Sequence, residues 1–328
     1  MGTSKLRALI IGAGNIAGGY DLRGEKREIW THAKAYQLTA GVELVGVVDS
    51  REPAARAFAK TWDVSFSGTD LERALQKTRP DIVSICSPTP THVPFIKTLC
   101  HAGISAILCE KPIAYDLRTA EQAVALCQKK GVLLAINYQR NWDRQSNRLR
   151  KAIQSKEYGR IELIRVLHSK GLLHNGSHFV SLLGHWFGDL EAERLLTVHS
   201  CDRNDVRADF TATCPATKRI IFQNIPERTY NLNELEVLFE RGRLELKNGG
   251  LEVFWTERHH DPLLPNDVTL AEKPKRLPVS LPGAMLEVVR NFTNTLRGKE
   301  NLLSDSEAAL RALRFCVTVR KLARNSHA

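Results

Sequence analysis

A glycine turn placed directly behind a short apolar run constrains this chain more than any other feature. Leu6–Ile11 reads as a strand buried on both faces, and Gly12-Ala13-Gly14-Asn15-Ile16-Ala17 follows it without a gap. The segment fits Gly-x-Gly-x-x-Gly/Ala. Gly12 permits a tight turn, Gly14 lets backbone approach a pyrophosphate, and Ala17 is small enough for close helix–strand packing. Amides at the start of the following helix, among them those of Asn15 and Ile16, would take the phosphates. An isolated glycine turn carries little weight. This one is flanked by a strand and followed by alternating elements, which points to dinucleotide binding.

That alternation runs through the first 140 residues. Apolar runs at 8–11, 44–48, 82–86, 104–108 and 132–136 are short, as expected of strands covered on both faces. Amphipathic stretches at 53–62, 70–77, 94–102 and 117–130 separate them, and Gly131 supplies a helix stop. Strand–helix alternation predicts parallel βαβ units in a doubly wound sheet. Residues 19–31 read as an inserted loop. After residue 140 the pattern changes. Helices are expected at 143–153 and 179–187, with a strand at 161–168 between them. Further strands at 195–199, 209–214, 219–224, 234–240, 243–247 and 251–255 are joined by turn signals such as Asn248-Gly249-Gly250. A Pro-rich loop over 261–282 and two helices, 284–297 and 304–324, close the chain. The expected fold is α/β: a Rossmann dinucleotide-binding domain over 1–137 and an α+β domain over 138–328 with a largely antiparallel open sheet.

Composition removes several classes of function. No apolar run reaches the ~20 residues a membrane span needs. Met1-Gly2-Thr3-Ser4-Lys5 leads straight into the first strand, unlike a secretory signal. Seven cysteines, an odd number with no Cys-x-x-Cys pair, argue against a disulfide framework or zinc ribbon and for reduced thiols in the cytoplasm. The net charge of +11 is scattered, with no run of five basic residues, so nucleic acid is not expected as a partner. Attraction of an anionic small substrate, such as a phosphorylated or nucleotide-linked sugar, is compatible with that charge.

Asp49 ends the second apolar run. A carboxylate there accepts from the adenosine ribose hydroxyls and repels a 2′-phosphate, which favours NAD. Ser50-Arg51 follows, and an arginine at that place accommodates a 2′-phosphate, so NADP stays open. The alternative for Asp49 is a plain helix cap.

Four further segments resemble the glucose-fructose oxidoreductase/inositol dehydrogenase (Gfo/Idh/MocA) family. Cys86-Ser87-Pro88-Thr89-Pro90-Thr91-His92 is similar to that family's Cys-Thr-Pro-x-x-x-His. Glu110-Lys111-Pro112 matches its Glu-Lys-Pro. Tyr138-Gln139-Arg140-Asn141-Trp142 is similar to its Phe-x-Arg-Arg-Phe, with departures at Asn141 and Trp142. Residues 302–323 resemble its last helix. The resemblance implies that Ser87, Pro88 and His92 line the cofactor site, with Pro112 beside them, and that Glu110 holds the nicotinamide end. It also implies that Lys111 contacts the hydroxyl whose carbon loses hydride. An ammonium there stabilises alkoxide charge and relays a proton. Without the family match, Lys111 reads as an ordinary surface lysine.

The family's Asp-x-Gly-x-His becomes His174-Asn175-Gly176-Ser177-His178 here. His178 takes the place of the catalytic histidine, and His174 stands where the carboxylate is missing. Asn175 or Ser177 is the available partial substitute. Substrate contacts are expected from Lys111, Arg140, Trp142, His174, Asn175 and His178. His174, His178 and His185 have metal-like spacing, but no fourth ligand is evident and Gly176 interrupts the helix, so no metal is expected. The resulting expectation is an NAD-dependent oxidoreductase acting on a CH–OH group of a sugar, cyclitol or nucleotide sugar, assembled as a homo-oligomer, dimer or tetramer. A catalytically inactive dinucleotide-binding regulator or scaffold is the alternative.

Overall fold

The structure is a computed structural model that describes residues 5–23, 28–264 and 266–326. The expected N-terminal lead at 1–4, part of the 19–31 loop, position 265 of the 261–282 stretch and the last two residues lie outside the described residues.

In chain order the elements are β1 (Leu6–Ile11), α1 (His32–Leu38), β2 (Val42–Val48), α2 (Glu52–Trp62), β3 (Phe66–Gly68), α3 (Leu71–Thr78), β4 (Ile82–Ile85), α4 (His92–His101), β5 (Ala106–Cys109), α5 (Leu117–Lys130) and β6 (Leu133–Ile136). They continue with α6 (Arg144–Gln154), β7 (Ile161–Ser169), α7 (Ser177–Phe187), β8 (Glu191–Cys201), β9 (Val206–Cys214), β10 (Thr217–Ile225), β11 (Asn233–Phe239), β12 (Gly242–Lys247), β13 (Glu252–His260), β14 (Val268–Leu270), β15 (Lys275–Leu277), α8 (Ala284–Leu296) and α9 (Ser306–Asn325).

Two compact units result. The first comprises Met1–Asp143 with Pro282–Leu310, and the second Arg144–Leu281 with Arg311–Ala328. The first holds six parallel strands in the order β3-β2-β1-β4-β5-β6. This is the Rossmann order, with its switch point between β1 and β4. Every residue of β4 and β5 is buried, because helices cover both faces. Local signals set the helix ends. Asp70 and Asp116 accept from Arg73 N and Thr119 N at the starts of α3 and α5, and Gly131 stops α5 in the left-handed conformation.

A single cut after residue 137 does not describe this division. Helix α8 packs with the first unit, burying Met285, Val288, Val289 and Phe292 in the same core as Ala8, Ile10 and Tyr36. Those four lie on one face at helical spacing. Each contributes about 1.5–3 kcal/mol on burial, whereas each doubling of an intervening loop costs only about 0.6 kcal/mol. The chain therefore returns to its first core. Trp142 Nε1 donates to Asn291 Oδ1 of α8 at 2.9 Å and ties the same return.

The second unit is built on one mixed sheet, β14-β13-β12-β11-β7-β10-β9-β8, with β15 beside β13. Among the described residues the β7–β10 pairing is parallel and the other ladders of this sheet are antiparallel. Residues of β9 alternate between buried and half-buried, the period of a sheet with one packed face. On that face Phe210 stacks on Phe222 at 4.7 Å, and Phe315 of α9 approaches both at about 6 Å. The stretch 261–282, expected as loop, contains β14 and β15. Their cross-strand partners in β13 lie several residues away, so no local periodicity marks them.

Candidate active site

In the first unit, successive strand ends are stitched together by backbone. Gly12 N donates to Val48 O at 2.7 Å, Cys86 N to Ile11 O at 2.7 Å, and Glu110 N to Ile85 O at 2.9 Å. The glycine turn, Asp49, the Cys86–His92 segment and Glu110-Lys111-Pro112 therefore emerge along one edge, at the carboxyl ends of parallel strands, where open α/β sheets bind ligands.

Gly12 has φ +94°, and a Cβ there would lie 2.8 Å from the Cys86 carbonyl carbon. No side chain fits. At Gly14 the backbone is extended, and a Cβ would meet no protein atom within 4 Å. The chain is thus open to a ligand at Gly14, as pyrophosphate binding requires. Ala17 is fully buried, which fits its expected packing role. The turn after Gly14 is a single wide one over Asn15–Gly19 and not a long helix; α1 begins only at His32.

Asp49 is partly engaged inside the protein. Its Oδ2 accepts from Ala13 N at 2.7 Å, and its Oδ1 from Arg51 N at 2.9 Å. The carboxylate so ties the glycine turn to the end of β2. Arg51 Nε stands 3.7 Å from Oδ1 on an exposed side chain.

Ser87 Oγ shares a hydrogen bond with Thr91 Oγ1 at 2.6 Å, and Pro88 O accepts from Thr91 Oγ1 at 2.7 Å. His92, expected to line the cofactor site, is only 1 % exposed. Its Nδ1 faces Pro112 O and its Nε2 faces Ser87 O, both at 2.8 Å. Burial pushes its pKa down, against those two carbonyls. It pins two site loops together instead of lining the site.

Glu110 gathers polar contacts from three residues. Its Oε1 accepts from Asn137 Nδ2 at 2.6 Å and lies 3.0 Å from His32 Nε2. Oε2 accepts from Lys111 N at 3.3 Å. Burial alone would raise the carboxyl, but the His32 and Asn137 hydrogen bonds and the Lys111 charge outweigh it and hold Glu110 below the usual carboxylate range. Sequence reading missed His32, Tyr36, Ser84 and Asn137. The available signal was the i, i+4 spacing of His32 and Tyr36, which puts both on one face of α1.

One expected substrate contact is placed otherwise. Trp142 is 1 % exposed and its indole nitrogen is satisfied by Asn291, so it anchors the core. Arg140 is half-buried; burial pushes its pKa down to about 10, opposed by Asp143.

In the second unit, residues Leu172–Gly176 form a wide turn ahead of α7, on which His178 is the second residue, half-buried. Asn175 Nδ2 donates to Ser169 O at 3.1 Å and Ser177 Oγ to Leu173 O at 2.7 Å. Both substitutes for the missing carboxylate are thus occupied by backbone. The carboxylate that supports this turn is Asp205, absent from the sequence reading. It accepts from Leu173 N at 2.7 Å and His174 N at 2.9 Å, and burial raises its pKa. His174 is exposed and lines a cavity of about 790 Å³ with Lys170, Asp205 and Arg207. His185 Nε2 instead meets Asn147 Oδ1 at 3.0 Å, and burial pushes its pKa down to about 4. Among the described residues no group of three or more His, Cys, Asp or Glu is arranged to hold a metal. The seven cysteines are free thiols.

A glycine turn, a strand-end carboxylate and this strand order define the first unit as a dinucleotide-binding Rossmann unit. Residues 6–138 match the Gfo/Idh/MocA family model, described as an oxidoreductase family with an NAD-binding Rossmann fold. Among curated relatives, the D-glucoside 3-dehydrogenase of Escherichia coli (strain K12) is 33% identical over 164 residues, 49% of this chain and 42% of that protein. The inositol 2-dehydrogenase of Rhizobium meliloti (strain 1021) is 31% identical over 147 residues, 45% of this chain and 44% of that protein. The chain thus spans under half the length of the curated relatives it matches. Across nearly the whole chain the fold is that of KijD10, a 3-ketoreductase from Actinomadura kijaniata solved with NADP and TDP-benzene. The TM-score is 0.76 at 19% identity, covering 97% of this chain and 98% of that one. Among the described residues no helix is long and apolar enough to cross a membrane.

Proposed function

We propose that the protein is a nicotinamide-dependent oxidoreductase that moves hydride to or from a secondary alcohol or ketone carbon of a sugar, cyclitol or nucleotide sugar. The observation that carries this reading is the placement of Glu110-Lys111-Pro112 on the same strand-end edge as the glycine turn and Asp49. The relatives named as glucoside and inositol dehydrogenases support the substrate class. Gly12, Gly14 and the Asn15–Ala17 amides would hold the pyrophosphate, Asp49 the adenosine ribose, and Glu110 the nicotinamide end. The nicotinamide, when bound, supplies or accepts the hydride. Lys111 stabilises alkoxide charge on the substrate oxygen, and His178 takes or returns the hydroxyl proton. Arg140, His174 and Asn175 are assigned to substrate recognition, and an anionic substituent suits the surplus of positive charge. The free cysteines support a reducing, cytoplasmic setting. Steady-state assays with NAD(H) and NADP(H) against a panel of sugars, cyclitols and nucleotide sugars test the reading. Turnover of none, with cofactor bound, would leave a dinucleotide-binding scaffold.

NAD is the proposed cofactor. Asp49→Ala removes a charge that repels a 2′-phosphate and leaves Arg51 beside the vacated position. Its ratio of NAD to NADP kcat/KM is expected to fall about tenfold, equal to about 1.4 kcal/mol of lost discrimination. A wild-type enzyme already faster with NADP(H) would assign the choice to Arg51. We also propose a homo-oligomer, supported by the open sheet of the second unit with its half-buried second face. Multi-angle light scattering at micromolar concentration is expected to give a dimer or tetramer mass, and a monomer mass would refute it.

A further inference from the structure

We infer that His32 is a positioning residue that orients the Glu110 carboxylate and keeps it ionised at the strand ends. The inference deepens the proposed function and rests on Glu110 facing the nicotinamide end of the cofactor.

A continuous buried chain of polar groups leads to that carboxylate. Tyr36 OH lies 2.7 Å from Ser84 Oγ, Ser84 Oγ 2.9 Å from His32 Nδ1, and His32 Nε2 3.0 Å from Glu110 Oε1. Asn137 Nδ2 donates to the same oxygen from the far side of the sheet order, at 2.6 Å. Tyr36, His32 and Ser84 are fully buried, in a part of the core otherwise apolar. Groups so buried persist only when each donor and acceptor is used. With Tyr36 donating to Ser84 and Ser84 donating to Nδ1, the ring proton sits on Nε2 and points at Oε1. The imidazolium also donates from Nε2. In either state the carboxylate receives a hydrogen bond in a fixed direction, and α1 carries both ends of the chain.

The neighbours leave that arrangement to act alone over the physiological range. Besides His32 and Lys111, the titratable groups facing Glu110 or its chain are Tyr36 on α1, Cys86 after β4, His92 on α4 and Cys109 at the end of β5. Burial raises the phenol and both thiols and lowers His92, so none of these four is charged near pH 7. Burial also works against the Glu110 anion, and it is overcome by His32 first, then Asn137 and Lys111. Loss of His32 therefore moves the Glu110 carboxyl upward. As pH falls, the variant protonates Glu110 earlier than wild type and loses an acceptor the cofactor needs.

The experiment is fluorescence titration of NADH into wild type, His32→Leu, His32→Gln and Glu110→Gln from pH 8 to pH 5.5. The ratio of the His32→Leu dissociation constant to that of wild type is expected to be small at pH 8. It should rise about tenfold by pH 5.5. His32→Gln, whose amide nitrogen can stand in for Nε2, is expected to flatten that rise. Glu110→Gln should bind weakly throughout. Should His32→Leu not fold, Ser84→Ala frees Nδ1 with the loss of one oxygen and is expected to show a smaller rise of the same sign. A ratio independent of pH in His32→Leu or, in its place, Ser84→Ala, with Glu110→Gln weakened, overturns the role of His32. Wild-type affinity in Glu110→Gln instead removes the reading on which it rests.

Discussion

Lys111→Met is expected to lower kcat about 100-fold or more, the scale on which one acid–base or electrostatic group acts. The reason is charge. Lys111 follows the half-buried Glu110 and contributes to holding that carboxylate ionised, so its ammonium already influences the strand-end edge. Methionine preserves length and apolar stem while removing the only part that stabilises an alkoxide. KM for cofactor should change less than kcat, because the pyrophosphate and ribose contacts are elsewhere. His178→Asn should lose a similar factor. If the two residues serve one proton transfer, the double variant will fall well short of the product of the single losses. Circular dichroism and thermal melting establish that the variants are folded, and single-turnover kinetics separate chemistry from release. Chelator treatment should leave turnover intact. Full turnover in Lys111→Met, or activity abolished by chelator and restored by zinc, contradicts the mechanism.

Gly14→Val is expected to weaken cofactor binding about 10- to 100-fold, about 1.4–2.7 kcal/mol, with the melting temperature nearly unchanged. Two observations separate affinity from stability here. The Gly14 backbone is extended, which valine adopts without strain, and no protein atom lies within 4 Å of the added Cβ. The added Cβ thus meets no protein atom. Gly12 makes the opposite control. With φ +94° and the Cys86 carbonyl 2.8 Å away, Gly12→Ala strains the fold itself, and a loss of binding there says nothing about phosphate. Isothermal titration of NAD(H) into a folded Gly14→Val protein checks the expectation, and unchanged affinity would sink the assignment of this turn to the pyrophosphate.

The parts legible in the chain were those with local periodicity. Helix α5 falls at the expected residues, bounded by Asp116 and Gly131, because a cap at each end is written next to the helix it limits. The strands of the first sheet lie within two residues of their apolar runs, apart from β3, three residues long and half-buried, which has no run to show. Helix α1 escaped for a similar reason. Seven residues following an irregular stretch give too short a window for a helical pattern. Motif matching placed Glu110-Lys111-Pro112 at a strand end, and hydrogen bonding from Glu110 N to Ile85 O puts it there.

By itself the sequence determined the strand–helix alternation of the first sheet, the glycine turn and the places of the candidate site residues along the chain, since each is encoded within a few positions of its neighbours. Tertiary structure alone decided what those residues touch. His92 and Trp142 became internal anchors because carbonyls at Ser87 and Pro112, and an amide on α8, lay within reach once the chain had closed. Glu110 acquired His32 across 78 residues and Asn137 across 27, and α8 returned to a core begun at residue 8. A buried polar group takes whichever partner the packed fold delivers, because leaving it unsatisfied costs about 1–3 kcal/mol. That choice depends on proximity in space, which local sequence pattern does not encode.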